Sequence, residues 1–420
     1  MNLTGRHALV VGLGKSGDAA ARLLRAKGAE VVGADDKVLP FPGELRRVEP
    51  GALKGIDLLV VSPGVPLSLL LFAEARARKI ELIGEVELAS RFIEEPIVGV
   101  TGTNGKSTTT ALCGHLLATA GLRVFTGGNL GTALSERVLS GQRLQATVCE
   151  LSSYQLEAIV SLRCAAATVL NVTPDHLDRY PSLEVYAQAK ERVFANQRPG
   201  DTAAINQADP RVRGMRTNPG VRRVPFDARE PLRIEGADLR LSAPTLRGVH
   251  NKENAFAACI LARHFGVSPE SLQRGLDTYP GLPHRLEPVR KRNGVEWIND
   301  SKATNVDSVE KSLSAFPAGV HIIMGGRGKG APYAPLRELM RGRVKTILTI
   351  GEDASTIARE LSGVAEIEAC PDLSTAVARA EKKARPGDVV LLSPACASYD
   401  QFRNFEDRGD QFKALVRGLP

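Results

Sequence analysis

Short apolar, β-branched runs separated by polar, glycine-bearing loops and helical periods set the rhythm of this chain. The first run, residues 7–11, opens into Gly12-Leu13-Gly14-Lys15-Ser16-Gly17, followed by a helical pattern over 18–26 that ends near Gly28. Further runs at 30–33 and 57–61 lead to Asp35-Asp36 and to Ser62-Pro63-Gly64. A new start comes at Pro96: Ile97-Val98-Gly99-Val100, then Thr101-Gly102-Thr103-Asn104-Gly105-Lys106-Ser107, then a helical period closed by Gly121. A tight loop is expected at 127–131. The strands 146–149 and 167–170 end in Glu150-Leu151-Ser152-Ser153 and in Asn171 to His176, and a helix is expected over 186–194, bearing Lys190. Short alternating strands precede an Ala-rich helix through Ala262. Beyond Arg285, four runs (295–298, 320–324, 346–350, 389–392) each end in a polar loop. Apolar strands alternating with helices predict mostly parallel sheets covered on both faces, an α/β protein.

Length adds a domain count. At 420 residues, a prior of roughly 150 per domain gives about three, divided here as 1–92, 93–281 and 282–420. The first and last are read as Rossmann-like and the middle one as a phosphate-loop, mononucleotide-binding domain. A composition of 43% hydrophobic and 24% charged residues is that of a globular protein. The net charge of +8 is scattered, and aromatics are only 5%. That pattern argues against nucleic acid and suits anionic small substrates. Six cysteines without a C-x-x-C pair read as buried thiols of a reducing compartment, so no disulfide framework or zinc site is expected. The N-terminal apolar run is too short for a signal peptide, and no segment approaches a membrane span. The expectation is a cytoplasmic monomer that meets neither membrane nor nucleic acid.

The chemistry concentrates at strand ends. Strand, glycine loop, Lys-Ser and helix form a cradle for a polyphosphate: backbone N–H groups and the helix N-terminus face the anion. Lys106 reaches the terminal phosphates and the Ser107 hydroxyl can ligate Mg²⁺. The strict G-x-x-x-x-G-K-[ST] pattern fails, because Val100 stands five residues before Gly105. Glu150 offers the carboxylate oxygen that a hard cation prefers; His176 is a softer ligand. The G-x-G-x-x-G of residues 12–17 with its acidic pair suits a nucleotide diphosphate, either NAD or a nucleotide-linked ligand. A NAD(P)-dependent oxidoreductase would leave the second glycine loop and the third unit unexplained. A non-catalytic nucleotide switch would leave Glu150, His176 and Lys190 unexplained.

Taken together, GTNGKST, ELSSYQLE, NVTPDHLDRYPS with YAQAK, GVHNKENAFAA, GLPHRLE, NDSKATN and SPACASYDQFRNFEDRG resemble the motifs of the Mur ligase family, in order and over essentially the whole chain. The last block is most similar to the branch that adds D-glutamate. The resemblance implies an ATP-dependent amide ligase of peptidoglycan precursor synthesis, acting on UDP-N-acetylmuramoyl-L-alanine (UDP-MurNAc-L-Ala) and D-glutamate through an acyl phosphate and a tetrahedral intermediate. It implies that Gly102, Thr103, Asn104, Gly105, Lys106, Ser107 and Thr108 hold the ATP phosphates, and that Asn251, Arg285 and Asp300 contact the nucleotide. Ser107 and Glu150 would hold one Mg²⁺, and His176 with a carbamylated Lys190 a second; Lys106, His176 and Lys190 are the catalytic set. Gly14, Ser16, Asp36 and Ser62 would line the UDP pocket, with Asn129 and His176 along the muramoyl-alanine arm. Thr304, Lys329, Ser398 and Phe405 would bind D-glutamate. Read without the family, Lys190 is a solvent-facing helix lysine. The chain departs from some relatives at Asp36-Lys37, where they carry Thr-Arg; lysine lacks the planar fork of arginine, which affects how uracil would be read.

Overall fold

The computed structural model describes residues 1–37, 41–129, 131–176 and 179–419. Leu130 of the 127–131 loop, and Leu177 and Asp178 of the NVTPDHLDRYPS motif, lie outside the described residues. The described chain packs as two compact units, residues 1–240 with 253–277 and residues 241–252 with 278–420.

The first unit holds two parallel sheets. One is built from β1 (His7–Val11), β2 (Glu30–Ala34), β3 (Leu45–Arg46), β4 (Leu58–Val61) and β5 (Glu81–Gly84), ordered β3-β2-β1-β4-β5. This is the order of a Rossmann half, whose switch point lies between β1 and β4. β1 and β4 are almost wholly buried, so they read as continuous apolar runs, as strands covered on both faces must. The other sheet contains β6 (Ile97–Thr101), β7 (Val124–Gly128), β8 (Ala146–Glu150), β9 (Ala166–Val169), β10 (Thr202–Asn206) and β11 (Arg222–Phe226), ordered β11-β10-β9-β6-β8-β7. A two-stranded ribbon, β12 (Arg233–Ile234) and β13 (Ala237–Asp238), comes next.

Buried carboxylates tie these two sheets together. Glu87 accepts from the backbone N–H groups of Val160, Ser161 and Leu162 and from the Ser161 hydroxyl, while Arg91 compensates its charge at 2.8 Å. Arg179 donates to the Pro63 carbonyl at 3.1 Å and pairs with Glu157 at 2.8 Å.

The second unit holds one six-stranded sheet: β14 (Glu287–Arg292), β15 (Val295–Asn299), β16 (Val320–Gly325), β17 (Val344–Ile350), β18 (Glu366–Ala369) and β19 (Val389–Leu392), ordered β14-β15-β19-β16-β17-β18. β14 is antiparallel to β15 and the rest are parallel. Its alternating, charge-rich sequence EPVRKR is half exposed, which suits an edge strand.

In the first glycine motif, the close approach falls on the third glycine. A Cβ on Gly17 would stand 1.9 Å from the Gly12 carbonyl oxygen and 2.9 Å from the Ser62 Oγ. Gly17→Ala must push the helix Lys15–Ala26 off β1 and break the 2.6 Å Ser62-to-Gly12 hydrogen bond. A loss of about 1–3 kcal/mol is expected for such overpacking, read as a lower urea midpoint at unchanged slope.

Candidate functional site

At the carboxyl end of β6 the glycine loop turns into the helix Lys106–Thr119. Gly105 sits at the N-cap with φ 85°, and no side chain caps the helix. Its first-turn N–H groups therefore form an anion-binding terminus. The loop is braced against the segment beyond β9. Thr103 N donates to Asn171 O at 2.9 Å, Asn104 N to Asn171 Oδ1 at 2.9 Å, and Thr173 N to Thr103 Oγ1 at 3.1 Å. Thr108 is buried in the first turn, and Ser107 is half-buried.

Two lysines converge on this loop. Lys106 Nζ donates to the carbonyls of Gly102 and Thr103, both at 2.9 Å, and Lys190 Nζ donates to the same Gly102 carbonyl at 2.9 Å. Lys190 lies on the helix Leu183–Glu191 and is 1% exposed, so the solvent-facing reading of that residue is corrected. The error has a simple cause: the helix offers a mixed face with Tyr186, Ala189 and Lys190 buried, and sequence periodicity assigns charge outward. Burial first, and then the Lys106 charge, push the Lys190 amine down to about 6. The Tyr186 ring lies 4.2 Å from its Nζ.

Glu150 ends β8, paired in register with Val100 and Gly128. It is 3% exposed; its Oε1 accepts from Asn129 Nδ2 at 2.7 Å, and its Oε2 is buried without a partner. An orphaned carboxylate oxygen beside a phosphate loop fits a hard cation. Among the described residues no three His, Cys, Asp or Glu side chains stand together as a metal cage. His176 occupies a left-handed backbone position, φ 55°, and is exposed. Its ring is 5.0 Å from Tyr154 and 6.1 Å from Tyr186, so it stands beside the aromatic group that contacts Lys190.

At the carboxyl ends of β1 and β4, Gly14 is the N-cap of the helix Lys15–Ala26, again without a side-chain cap. Ser16 is half-buried and Asp36 exposed. The carboxylate that ties the first glycine loop is that of Asp35, which accepts from Leu13 N at 2.7 Å and Lys37 N at 2.9 Å. The spacing alone left two adjacent acids, and only the alternation of strand faces separates them.

In the second unit, Asp300 lies just past β15 and is buried. Its Oδ1 accepts from Leu286 N at 3.2 Å, and its Oδ2 from the hydroxyls of Ser312 and Ser393. Burial pushes its carboxyl up to about 6. Arg285 has a buried Nε without a partner. Asn251 is buried and donates to Arg247 O at 2.8 Å. Lys329 is exposed, with Nζ 3.4 Å from Thr304 Oγ1. Ser398 is buried, and its carbonyl accepts from Phe402 N at 2.8 Å. Phe405 opens the helix Phe405–Arg417, and its carbonyl accepts from Ser301 Oγ at 2.8 Å.

Sequence reasoning missed Arg408. Fully buried on that helix, it donates to Ser301 Oγ and Ser301 O at 2.9 Å, to Cys396 O at 3.2 Å and to Gly325 O at 3.4 Å. One side chain thus knots the loops that leave β15, β16 and β19. Burial lowers its basicity to about 10. An arginine inside the otherwise polar N-F-E-D-R-G run was the available signal.

A glycine loop leading into a helix without a side-chain cap, a buried carboxylate with one bare oxygen and two lysines on one carbonyl make up a candidate nucleotide-phosphate site. A family model for the Mur ligase middle domain matches residues 100–262, and one for the Mur ligase glutamate ligase domain matches residues 284–396. The UDP-N-acetylmuramoylalanine--D-glutamate ligase of Myxococcus xanthus is 51% identical, with 99% of this chain and 99% of that protein aligned. The protein of the same name from Anaeromyxobacter dehalogenans is 52% identical over 99% and 98%. Among solved structures, the UDP-N-acetylmuramate-alanine ligase of Thermotoga maritima shares the fold at a TM-score of 0.61 and 18% identity, covering 98% of this chain and 99% of its own. The chain belongs to the Mur ligase family, and it is an enzyme of the ligase class. No helix among the described residues is long and apolar enough to cross a membrane.

Proposed function

We propose that the protein joins D-glutamate to UDP-MurNAc-L-Ala at the expense of ATP, in the cytoplasm. The relatives at 51–52% identity carry that activity in their names. The six cysteines, all buried free thiols, suit a reducing compartment. The observation that carries the reading is the buried, partnerless Glu150 Oε2 beside a glycine loop gripped by Lys106.

In this reading residues 1–92 take the sugar nucleotide, 93–281 the ATP and 282–420 the amino acid. Gly14, Ser16 and Ser62 line the uridine diphosphate pocket; with Asp36 exposed and Lys37 next to it, uracil is read without an arginine fork. A carboxylate is a poor electrophile, so its oxygen first takes the γ-phosphoryl group and ADP leaves. The glutamate amine then attacks the acyl carbon, a tetrahedral intermediate forms, and phosphate leaves as the amide forms and a proton is released. The difficulty is the approach of two anions. Lys106 and the helix terminus at residues 106–108 hold the phosphates and offset the charge that develops between them. Ser107 and Glu150 would hold one Mg²⁺, and His176 with Lys190 a second; bound there, the ions supply further positive charge against the phosphate oxygens. A lysine amine kept neutral by burial is the form that captures carbon dioxide, and the resulting carbamate supplies anionic oxygen. Asn251 and Arg285 would contact the nucleotide, and Thr304, Lys329, Ser398 and Phe405 would receive D-glutamate. Asp300, with both oxygens engaged, orders the loops around them.

The test is phosphate release with UDP-MurNAc-L-Ala and ATP, with and without D-glutamate. Release that requires both building blocks supports the assignment. Release indifferent to the amino acid, or promoted equally by L-glutamate or L-alanine, overturns it.

A further inference from the structure

The loop after β7 makes a contact that the roles above leave unused. Gly128 ends β7 opposite Glu150, with φ 94°; a Cβ there would stand 2.5 Å from the Glu150 carbonyl oxygen. Only glycine lets the chain turn so close to its neighbour. The turn brings Asn129 onto Glu150 twice. Its backbone N–H donates to the Glu150 carbonyl at 2.9 Å, and its Nδ2 to Glu150 Oε1 at 2.7 Å. The far end of the same segment is pinned as well, since Ser135 N donates to the buried Glu85 carboxylate at 2.6 Å. Glu150 is buried while the Asn129 side chain is exposed. With Oε1 occupied by the amide, the carboxylate plane is fixed and Oε2 alone is left bare. A neutral amide donor orients a carboxylate without cancelling its charge, which a lysine or arginine in that place would do.

We infer that Asn129 is a positioning residue for the cation carboxylate: it holds Glu150 through Oε1 so that Oε2 meets the metal. The inference rests on the reading of Glu150 as a Mg²⁺ ligand. It adds a second task to the residue expected along the sugar arm. Nδ2 serves the carboxylate, and Oδ1 remains an acceptor for the sugar nucleotide, so one exposed amide touches both.

Mn²⁺ is the probe, with free ion counted by electron paramagnetic resonance in the presence of the full chain and ADP. Asn129→Ala is expected to weaken Mn²⁺ binding by about 10- to 100-fold, the usual effect of removing a residue that orients a metal ligand. ADP affinity without metal and the thermal midpoint stay at wild-type values. Asn129→Ser, which like alanine keeps the backbone contact but loses the amide, is expected to show the same loss and serves should the alanine variant fold poorly. Wild-type Mn²⁺ affinity in these variants, alongside a loss in Glu150→Gln, overturns the positioning role and leaves the cation reading standing. Wild-type affinity in Glu150→Gln as well removes Glu150 from the cation site, and the inference falls with it.

Discussion

Lys106→Ala is expected to lower turnover by on the order of 10²–10³ or more, the scale set by removing one preorganised charge donor from a transition state. Lys106 Nζ is held by two loop carbonyls, Gly102 O and Thr103 O. In the proposed reading, those contacts position it for the phosphates. The variant keeps the helix terminus and Glu150, so ATP affinity should fall less than turnover. Single-turnover phosphate release, measured at saturating ATP and Mg²⁺, separates the two. Turnover near wild type would remove Lys106 from the phosphate site.

The second large effect is expected at Lys190, in two directions. Lys190→Ala should abolish ligation, and short carboxylic acids should restore part of it by standing in for the lost anionic oxygens. Full activity of the alanine variant would end the carbamate reading. Stability should move the opposite way. The Lys190 amine lies at about 6 in the fold against an ordinary 10.5, so between those values the unfolded chain binds a proton that the folded chain does not. Folding is therefore penalised by this group, fully below about pH 6, and the penalty fades as pH rises toward 10.5. Lys190→Met removes it. Each unit is worth about 1.4 kcal/mol, and the lost hydrogen bond to Gly102 offsets about 1 kcal/mol. The ligand-free variant should then be about 2–4 kcal/mol more stable at pH 7, with the gap closing toward pH 10. Denaturant titrations at the two pH values, without carbon dioxide, give the comparison. A gap that does not narrow as pH rises would mean that Lys190 is not held neutral.

The parallel strands were legible because buried strands leave unbroken apolar runs, and each run gives way to a polar loop. Gly102 to Gly105 could be read as a strand-to-helix loop, and Glu150 as the end of a strand, from order alone. Lys190 could not, because a charge on a mixed helix face gives no sign of burial. Asp35 was hidden for a different reason: it adjoins Asp36, and the choice between them depends on which face each residue takes as β2 ends. Glu85, Glu87 and Arg408 escaped because their partners are backbone groups 50, 73 and 107 positions away. A contact of that kind has no sequence pattern on the far side. The antiparallel edge strand β14 was missed because its charged residues resemble a loop.

The knot at Arg408 has an evolutionary side. Among the described residues its partners are one hydroxyl and carbonyl oxygens from three separate loops, so no compensating change in any single loop can replace it. Those loops must drift together or not at all. In the proposed reading, change in which amino acid is accepted falls to rim positions such as Thr304 and Lys329, whose side chains can be exchanged without undoing the knot. Amino-acid preference in such a scaffold should diversify by few substitutions at the periphery of the pocket, above an interior that stays nearly invariant.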